Sequence, residues 1–232
     1  MSDELVAGRR RGWVSVAEEP EHPLAALEGK ELGDARLRVL LGPTSRFGAR
    51  YFSVLLAAND GRVAAQPVLQ GLHRSGPLPS YNWVEVAETS ERVALDGGEI
   101  VIGPDGLERL FALLFDLLPP GGHLMVEYDS PQRAETARAL AQNVPPVATP
   151  LGELLFRLGF GAKFKDWQIA EGGSEGPRKL QAYKPPSPAV ATRWREEGAQ
   201  QLRSFLARPL PSSDVLRAAR ERAVAILPLL AD

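Results

Sequence analysis

Glu85 and Tyr128 are residues in short apolar runs whose side chains can move a proton. Glu85 alternates with apolar neighbours in Trp83-Val84-Glu85-Val86, and a carboxylate there could point into a cleft as a general base. Tyr128 follows the apolar run from Leu124, at the end of a strand where α/β folds place functional groups, and its phenol could serve as an acid. The ordinary alternatives are a solvent-facing strand residue and an aromatic core anchor. We take both as candidate catalytic residues.

A turn that contains two glycines could bind phosphate. It reads Ile102-Gly103-Pro104-Asp105-Gly106-Leu107 and precedes a run with helical spacing. A helix N-terminus exposes unpaired N–H groups and the positive end of its dipole, so anions bind there. Gly103, Gly106 and Leu107 are therefore candidate cofactor-binding residues, in a surface turn that we expect to tolerate a side chain at Gly106. An ordinary strand-to-helix turn remains the alternative.

Other kinds of chemistry are disfavoured by composition. The chain has no cysteine, which removes thiolate zinc sites, iron–sulfur clusters and cysteine nucleophiles. Its three histidines, His22, His73 and His123, lie far apart in the sequence, so we expect no metal site. No Gly-x-Ser-x-Gly motif occurs, so Ser-His-Asp catalysis of that type is not supported.

The overall composition is that of a soluble protein with an ordinary core. The chain has 232 residues, of which 44% are hydrophobic and 24% charged, and its net charge is −2. We therefore expect no nucleic-acid partner and interpret Arg9 to Arg11 as a solvated tail. We also expect no membrane span and no secretory signal, which favours the cytoplasm. The absence of cysteine and the 20 prolines are compatible with a thermophilic source.

Strands and turns dominate the first half. Alternation predicts a strand over Leu37–Leu41, and the runs 49–58 and 62–72 flank Asn59-Asp60-Gly61. Asp-Gly supplies the positive φ angles of a tight hairpin turn, so the two runs are predicted to form an antiparallel hairpin. Pro67 lacks an N–H and indicates an edge or a bulge in its strand.

Helices and strands alternate in the second half. Helical spacing predicts a helix over Asp105–Leu118, followed by a buried strand over Leu124–Tyr128. Since a crossover helix joins parallel strands, we expect this strand to lie parallel to the one over Glu99–Ile102.

Two more helices and a hairpin follow. Ser130-Pro131 and Thr149-Pro150 are N-terminal helix signals, and Gly159 is a C-terminal one. Strands over 162–170 and 178–183 are predicted to flank a flexible loop, 171–176, that could close over a ligand.

A Pro-rich linker, 185–188, separates this domain (1–184) from a two-helix extension (185–232). Each predicted helix, 190–207 and the one capped by Ser213, has one apolar face. Pro228 is expected to limit the second. The anchors Trp194, Phe205, Leu216 and Ile226 should pack on the domain or on a second subunit, so a homodimer through these helices is a candidate assembly.

Two stretches resemble the GNAT N-acetyltransferase superfamily, over residues 36–184. Leu154–Phe160, followed by a strand, is similar to the late helix and Gly-Phe turn of those enzymes, and 102–107 lies where their pyrophosphate loop would be. The resemblance implies a GNAT-like α/β (α+β) fold: a mixed, mostly antiparallel sheet, then a helix whose N-terminus receives the pyrophosphate, then a strand, a helix and a final hairpin. It further implies acetyl-CoA or another acyl-CoA as cofactor and acyl transfer to an amine.

Other functional hypotheses remain open. Residues 117–127, Leu-Leu-Pro-Pro-Gly-Gly-His-Leu-Met-Val-Glu, look like the helix–Pro-Gly-Gly–strand passage of Rossmann-like S-adenosylmethionine-dependent methyltransferases. The first half holds a hairpin instead of their glycine-rich loop, so this hypothesis ranks second. A non-catalytic binding or assembly module on a degenerate fold is the third. Distant likeness to uncharacterised prokaryotic proteins leaves the acceptor substrate and activity undefined.

Overall fold

In the computed structural model the chain divides into two compact units, residues 1–124 and 125–232. The boundary falls within a strand, His123–Glu127, and the second unit therefore contains both the end of the predicted domain and the two-helix extension. The structure describes residues 12–46, 48–74, 83–86, 92–95, 98–128, 133–171, 174–209 and 213–231. Arg9 to Arg11 and Ser130-Pro131 lie outside these residues.

The first unit contains an antiparallel sheet with the order β1-β3-β4-β5-β6, and β2 pairs with β3 beside this path. The strands are β1 (Val14–Ser15), β2 (Glu31–Leu32), β3 (Ala35–Thr44), β4 (Arg50–Ala58), β5 (Leu69–His73) and β6 (Trp83–Val86). Short 3-10 helices span Val16–Glu18 and Pro23–Leu27. Leu37 and Val39 of β3 and Val54 of β4 are fully buried, so the predicted strand alternation forms the core.

The predicted hairpin around Asp60-Gly61 is confirmed. Asp60 Oδ1 accepts a hydrogen bond from the Arg62 N–H at 3.0 Å, and Gly61 has the left-handed φ of +83°. The second strand begins at Leu69 rather than at Arg62, after a single bridge between Ala57 and Val63. Pro67 has no N–H and cannot donate a hydrogen bond to the neighbouring strand, which is consistent with this interruption.

A small hairpin precedes the first long helix. Strands β7 (Arg92–Leu95) and β8 (Gly98–Val101) pair antiparallel in a separate two-stranded sheet, with Leu95 opposite Gly98. Helix α1 (Gly103–Leu117) follows, close to its predicted bounds. The predicted parallel pairing of residues 99–102 with 124–128 is therefore wrong for the described strands, because β8 pairs locally with β7. The GNAT resemblance implied that pairing, so this difference counts against the resemblance. The amino-acid sequence between these strands, Asp-Gly, is a type that favours pairing of neighbouring strands.

In the second unit, the strand order is β9-β11-β10 and the helices follow the predicted sequence. The elements are β9 (His123–Glu127), α2 (Ala134–Ala141), α3 (Pro150–Arg157), β10 (Phe164–Glu171), β11 (Ser174–Tyr183), α4 (Pro188–Ala207) and α5 (Asp214–Ala231). Thr149 Oγ1 accepts from the Gly152 N–H at 3.1 Å, so its predicted capping role is confirmed. The predicted loop 171–176 is shorter than expected, since Glu171 pairs with Ser174.

Helices α4 and α5 form the predicted C-terminal helical hairpin. Trp194, Phe205, Leu216 and Ile226 are buried, and the last three share one apolar cluster with residues of α2 and the 3-10 helix Pro146–Ala148. Helix α5 continues through Pro228, contrary to prediction. Pro228 has no N–H for the Val224 carbonyl, but both residues are exposed, so water can reach this turn.

The predicted α+β class, with antiparallel sheets, flanking helices and a C-terminal helical hairpin, is thus confirmed. Among the described residues, no helix has both the length and the apolar character needed to cross a membrane.

Candidate functional site

The start of α1 exposes its first glycine. Gly103 has φ +63°, and a Cβ built on it would meet no atom within 4 Å. Ile102 at the N-cap makes no side-chain capping hydrogen bond, and the first helical bond runs from the Gly106 N–H to the Ile102 carbonyl at 3.2 Å. A helix N-terminus without a side-chain cap leaves backbone donors for water or a ligand. Gly103 therefore lies where an anion could approach the backbone.

Gly106 differs from Gly103, which is half-buried, in its surroundings. Gly106 is buried, and a Cβ on it would lie 3.0 Å from the Cβ of Ile102 and 3.8 Å from the Gly33 nitrogen. Leu107 is half-buried. The expectation that this turn tolerates a side chain at Gly106 is not supported by this packing. Because Gly106 has no side chain, α1 lies close to the turn before β3. A Cβ at Gly103, in contrast, would meet no protein atom within 4 Å.

Asp105 and Leu155 lie at two positions where the GNAT resemblance implies other chemistry: a phosphate-binding turn and an acid. Asp105 is exposed in the first turn of α1, where its carboxylate stabilises the helix dipole but repels a phosphate. The acid that protonates the leaving thiolate in that superfamily would fall near Leu155, which is fully buried. Any coenzyme site at α1 must therefore work against one carboxylate and without an acid at this position.

A cavity of about 470 Å³ lies in the first unit, next to the turn before β3. Its wall includes Gly33, which also approaches the residues before α1, since a Cβ on Gly33 would lie 2.8 Å from the Val101 carbonyl oxygen. Arg36 and Arg38 also line the cavity. Arg36 pairs with Glu31 at 3.1 Å, and Arg38 pairs with Glu28 at 2.7 Å. The cavity thus offers two guanidinium groups whose charges are partly balanced.

Glu85 lies in β6, as predicted, and pairs with Gln70 of β5. Its side chain falls outside the described part of the structure, so its role as a base stays a prediction. Glu85 and the start of α1 belong to the first unit, and most of β9 belongs to the second.

Tyr128 belongs to a polar cluster on three strands of the second unit. It is buried, and its hydroxyl donates a hydrogen bond to Asp166 Oδ1 at 2.7 Å. The other carboxylate oxygen of Asp166 accepts from the Arg178 guanidinium at 2.7 Å. That guanidinium carbon lies 5.8 Å from the centre of the Tyr128 ring. The hydrogen bond from Arg178 to Asp166 raises the pKa of the guanidinium above its ordinary value. Tyr128 is thus both a core aromatic and a hydrogen-bond donor.

Asp166 also lines a second cavity, of about 710 Å³, within the same unit. The rest of its wall is polar on the α4 side: Glu197, Gln200, Gln201, Ser204 and Arg208. The remaining lining residues are Asn143 and four apolar residues, Leu140, Val144, Pro145 and Pro146. This cavity brings carboxylates, amides and a guanidinium around one space.

Sequence reasoning did not single out Asp166 or Glu197. Asp166 lies inside a predicted strand and Glu197 inside a predicted helix, where an acidic residue is an ordinary solvent-facing choice. Asp166 and Glu197 line the same cavity because of how β10 and α4 pack, and this packing cannot be predicted from the spacing of residues along the chain. The sequence feature that could have indicated this site is the series of polar residues at helical spacing from Glu197 to Arg208.

Fold and site together define an α+β protein with antiparallel sheets, a helical hairpin at its end and two polar cavities. The chain matches the family described as "Protein of unknown function (DUF1122)" over residues 34–209 and belongs to it. It also resembles the crystal structure of "a Protein of Unknown Function AQ1966 from Aquifex aeolicus VF5". That match has a TM-score of 0.61 and 26% identity, covering 87% of this chain and 97% of the other. No curated protein matches.

Proposed function

We propose that this protein is a divergent acyl-CoA-dependent N-acyltransferase whose coenzyme phosphates bind at the start of α1. The observation that carries the proposal is the order of elements. Antiparallel strands come first, then α1, β9, the two helices α2 and α3 and the β10–β11 hairpin; the GNAT resemblance implies this order with a single helix between the strand and the hairpin. Fold alone does not determine function, so the residues at the start of α1 must also suit the coenzyme.

The start of α1 suits a phosphate in three respects. The Gly103 backbone is open, Ile102 provides no side-chain cap, and α1 is 15 residues long, which gives it a full helix dipole. The guanidinium groups of Arg36 and Arg38 line the cavity that Gly33 borders, but Glu31 and Glu28 offset their charge. Asp105 opposes binding, so we expect modest affinity.

Bound acyl-CoA supplies an activated thioester: the amine nitrogen bonds to the acyl carbon, the carbon–sulfur bond breaks, and the proton lost by nitrogen finally resides on the thiol. The protein's part is to position the amine and to accept its proton, which needs no covalent nucleophile. Glu85 is our proposed base. Tyr128 is proposed as the acid, which requires its single O–H to turn from Asp166 to the leaving thiolate.

A non-catalytic binding module is the second candidate. It is favoured by the buried Leu155 at the position of the superfamily's acid and by the tight packing of Gly106. A Rossmann-like methyltransferase is not supported, because the first unit holds the antiparallel meander β3-β4-β5-β6 where that fold needs a parallel strand and a glycine-rich loop.

The test compares melting temperatures of the purified chain with acetyl-CoA and with S-adenosylmethionine. A ligand that binds only the folded state raises the melting temperature, so we expect a rise with acetyl-CoA alone. A rise only with S-adenosylmethionine would contradict the proposal. Turnover is then followed as free thiol released from acetyl-CoA in the presence of amines, and the chain, having no cysteine, adds no background. Binding without thiol release would identify the non-catalytic module.

A further inference from the structure

We propose that the cavity of about 710 Å³ in the second unit binds a short extended peptide, with a lysine ammonium at Asp166 and Glu197 and an acidic group at Arg208.

Asp166 is prepared to receive a cation. Its two oxygens are held by the Tyr128 hydroxyl and the Arg178 guanidinium, each at 2.7 Å, which fixes the direction of the carboxylate. Each carboxylate has about four lone-pair sites, so two remain for a ligand. The side chain is 38% exposed and lines the cavity, so a solvated ammonium can reach it. A carboxylate with a fixed direction loses little conformational freedom on binding.

Glu197 supplies a second negative charge on the same wall. Its nearest described partner is Arg193, at 3.8 Å, and both side chains are more than half exposed. A pair so long and so exposed contributes little energy, so Glu197 remains free to bind a cation. Arg178 already balances part of the charge of Asp166, so the less compensated negative charge in the lining is that of Glu197, which favours an amine beside it.

The residues that α4 contributes to the cavity also indicate how long the ligand is and which group lies at the end opposite its lysine. Glu197, Gln201 and Ser204 recur every three or four residues along one face of α4, and Arg208 follows directly after the helix ends. At 1.5 Å rise per residue, Glu197 lies about 15 Å along the helix axis from Ala207, the residue before Arg208. An extended chain spans that distance with about five residues at ~3.3 Å each. A guanidinium at the far end selects a carboxylate.

The middle of the wall favours peptide groups. The Gln200, Gln201 and Asn143 amides each carry donors and an acceptor and line the same cavity, and Gln200 and Gln201 lie between Glu197 and Arg208 in the sequence. Such groups can hydrogen-bond the backbone N–H and C=O of an extended chain. A polyamine has no backbone amides to use these groups and would bring a cation to Arg208, so the wall disfavours it.

The test is calorimetric titration of the full chain with a capped pentapeptide, acetyl-Lys-Gly-Ser-Gly-Glu-amide. A charge-assisted hydrogen bond is worth about 1.5 kcal/mol or more, which is roughly tenfold in affinity. We therefore expect about tenfold weaker binding when norleucine replaces the probe's lysine, and a similar loss for Asp166→Asn and for Glu197→Gln. Asp166→Asn keeps an oxygen for Tyr128, and Glu197→Gln lies outside that cluster.

Glu196→Gln is the matched control, because Glu196 is an exposed acid on the same helix that does not line the cavity. It should bind as the parent does. Arg208→Gln should reduce the preference for the Glu-containing probe over its Gln counterpart. No binding by the parent at millimolar probe would overturn the inference, as would equal affinity in Glu196→Gln and Glu197→Gln. Acetyl-CoA binding is measured on the same samples: peptide binding without coenzyme binding would contradict the proposed function and leave the peptide site intact.

Discussion

The Tyr128 hydroxyl and the Asp166 carboxylate, 2.7 Å apart, connect the end of β9 to β10, two strands that are not neighbours. Strand β11 lies between them, and its Arg178 donates to the same carboxylate. The Tyr128 N–H also donates to the Arg178 carbonyl at 3.0 Å. Three strands therefore converge on one carboxylate, which serves at once as a structural connection and as a wall of the cavity.

Tyr128→Phe should lower the free energy of unfolding by about 1–2 kcal/mol, because it removes a buried donor to a charged acceptor. We expect the lower end, since Asp166 is partly exposed and solvent weakens the interaction. Urea denaturation measures the change. Tyr51→Phe is the control, because Tyr51 is 43% exposed and its loss of a hydroxyl should change stability little. Equal losses in the two variants would show that the hydrogen bond to Asp166 does not stabilise the fold.

Ile226→Ala should cost about 2–5 kcal/mol, because Ile226 is fully buried in the apolar cluster of the helical hairpin and the change leaves a cavity. Val224→Ala on the same helix is the matched control, since Val224 is 61% exposed and should change stability by less than about 0.5 kcal/mol. Denaturant unfolding of both variants measures the two changes in the free energy of unfolding. A small effect at Ile226 would mean that the hairpin does not pack on the rest of the second unit.

The histidine pair in the first unit should make stability depend on pH. The rings of His22 and His73 are 5.4 Å apart. Burial is the main cause that lowers both pKa values below 6.5, with Arg50 adding to the effect at His22 and His22 adding to it at His73, while Glu19 opposes it at His22. The unfolded chain therefore takes up protons first as pH falls. The stabilisation is present above pH 6.5 and is lost as pH falls through 6.5 toward the folded values.

NMR titration of the two imidazoles tests this directly. Both should titrate below 6.5. His22→Asn keeps a side-chain acceptor for the Leu24 N–H, which His22 Nδ1 now binds at 3.2 Å, and removes the charge. The pKa of His73 should then rise toward its ordinary value while burial still holds it below. An unchanged His73 titration would contradict the proposed charge coupling.

What could be predicted from the sequence was local. The Asp60-Gly61 hairpin, the Thr149 cap and the anchors of the helical hairpin each depend on spacing within a few turns of chain. The pairing of β7 with β8 and the hydrogen bond from Tyr128 to Asp166 depend on a choice among several strand partners, which alternation leaves open. At Gly106 a Cβ would lie 3.0 Å from the Cβ of Ile102, a contact within one helical turn, and 3.8 Å from the backbone of Gly33, whose approach depends on long-range packing.

The domain boundary that the sequence predicts, after residue 184, and the homodimer through α4 and α5 stay predictions. The proposed anchors of that dimer are already buried within one chain. A dimer would therefore have to use the outward faces of these helices, where Val224 and Leu229 are exposed. The cytoplasmic location and the thermophilic source also stay predictions.

The most direct test of the central claim is the affinity of coenzyme A, by calorimetry, for the parent chain and for two charge variants of α1. Asp105→Asn removes a negative charge from the first turn, and Asp116→Asn removes one from the last turn of the same helix. If the phosphates bind at the start of α1, Asp105→Asn should tighten binding about two- to fivefold, since one such surface charge is worth roughly 0.3–1 kcal/mol. Asp116→Asn should leave the affinity unchanged. Equal affinities in both variants and the parent, or no binding of coenzyme A at millimolar concentration, would contradict the claim.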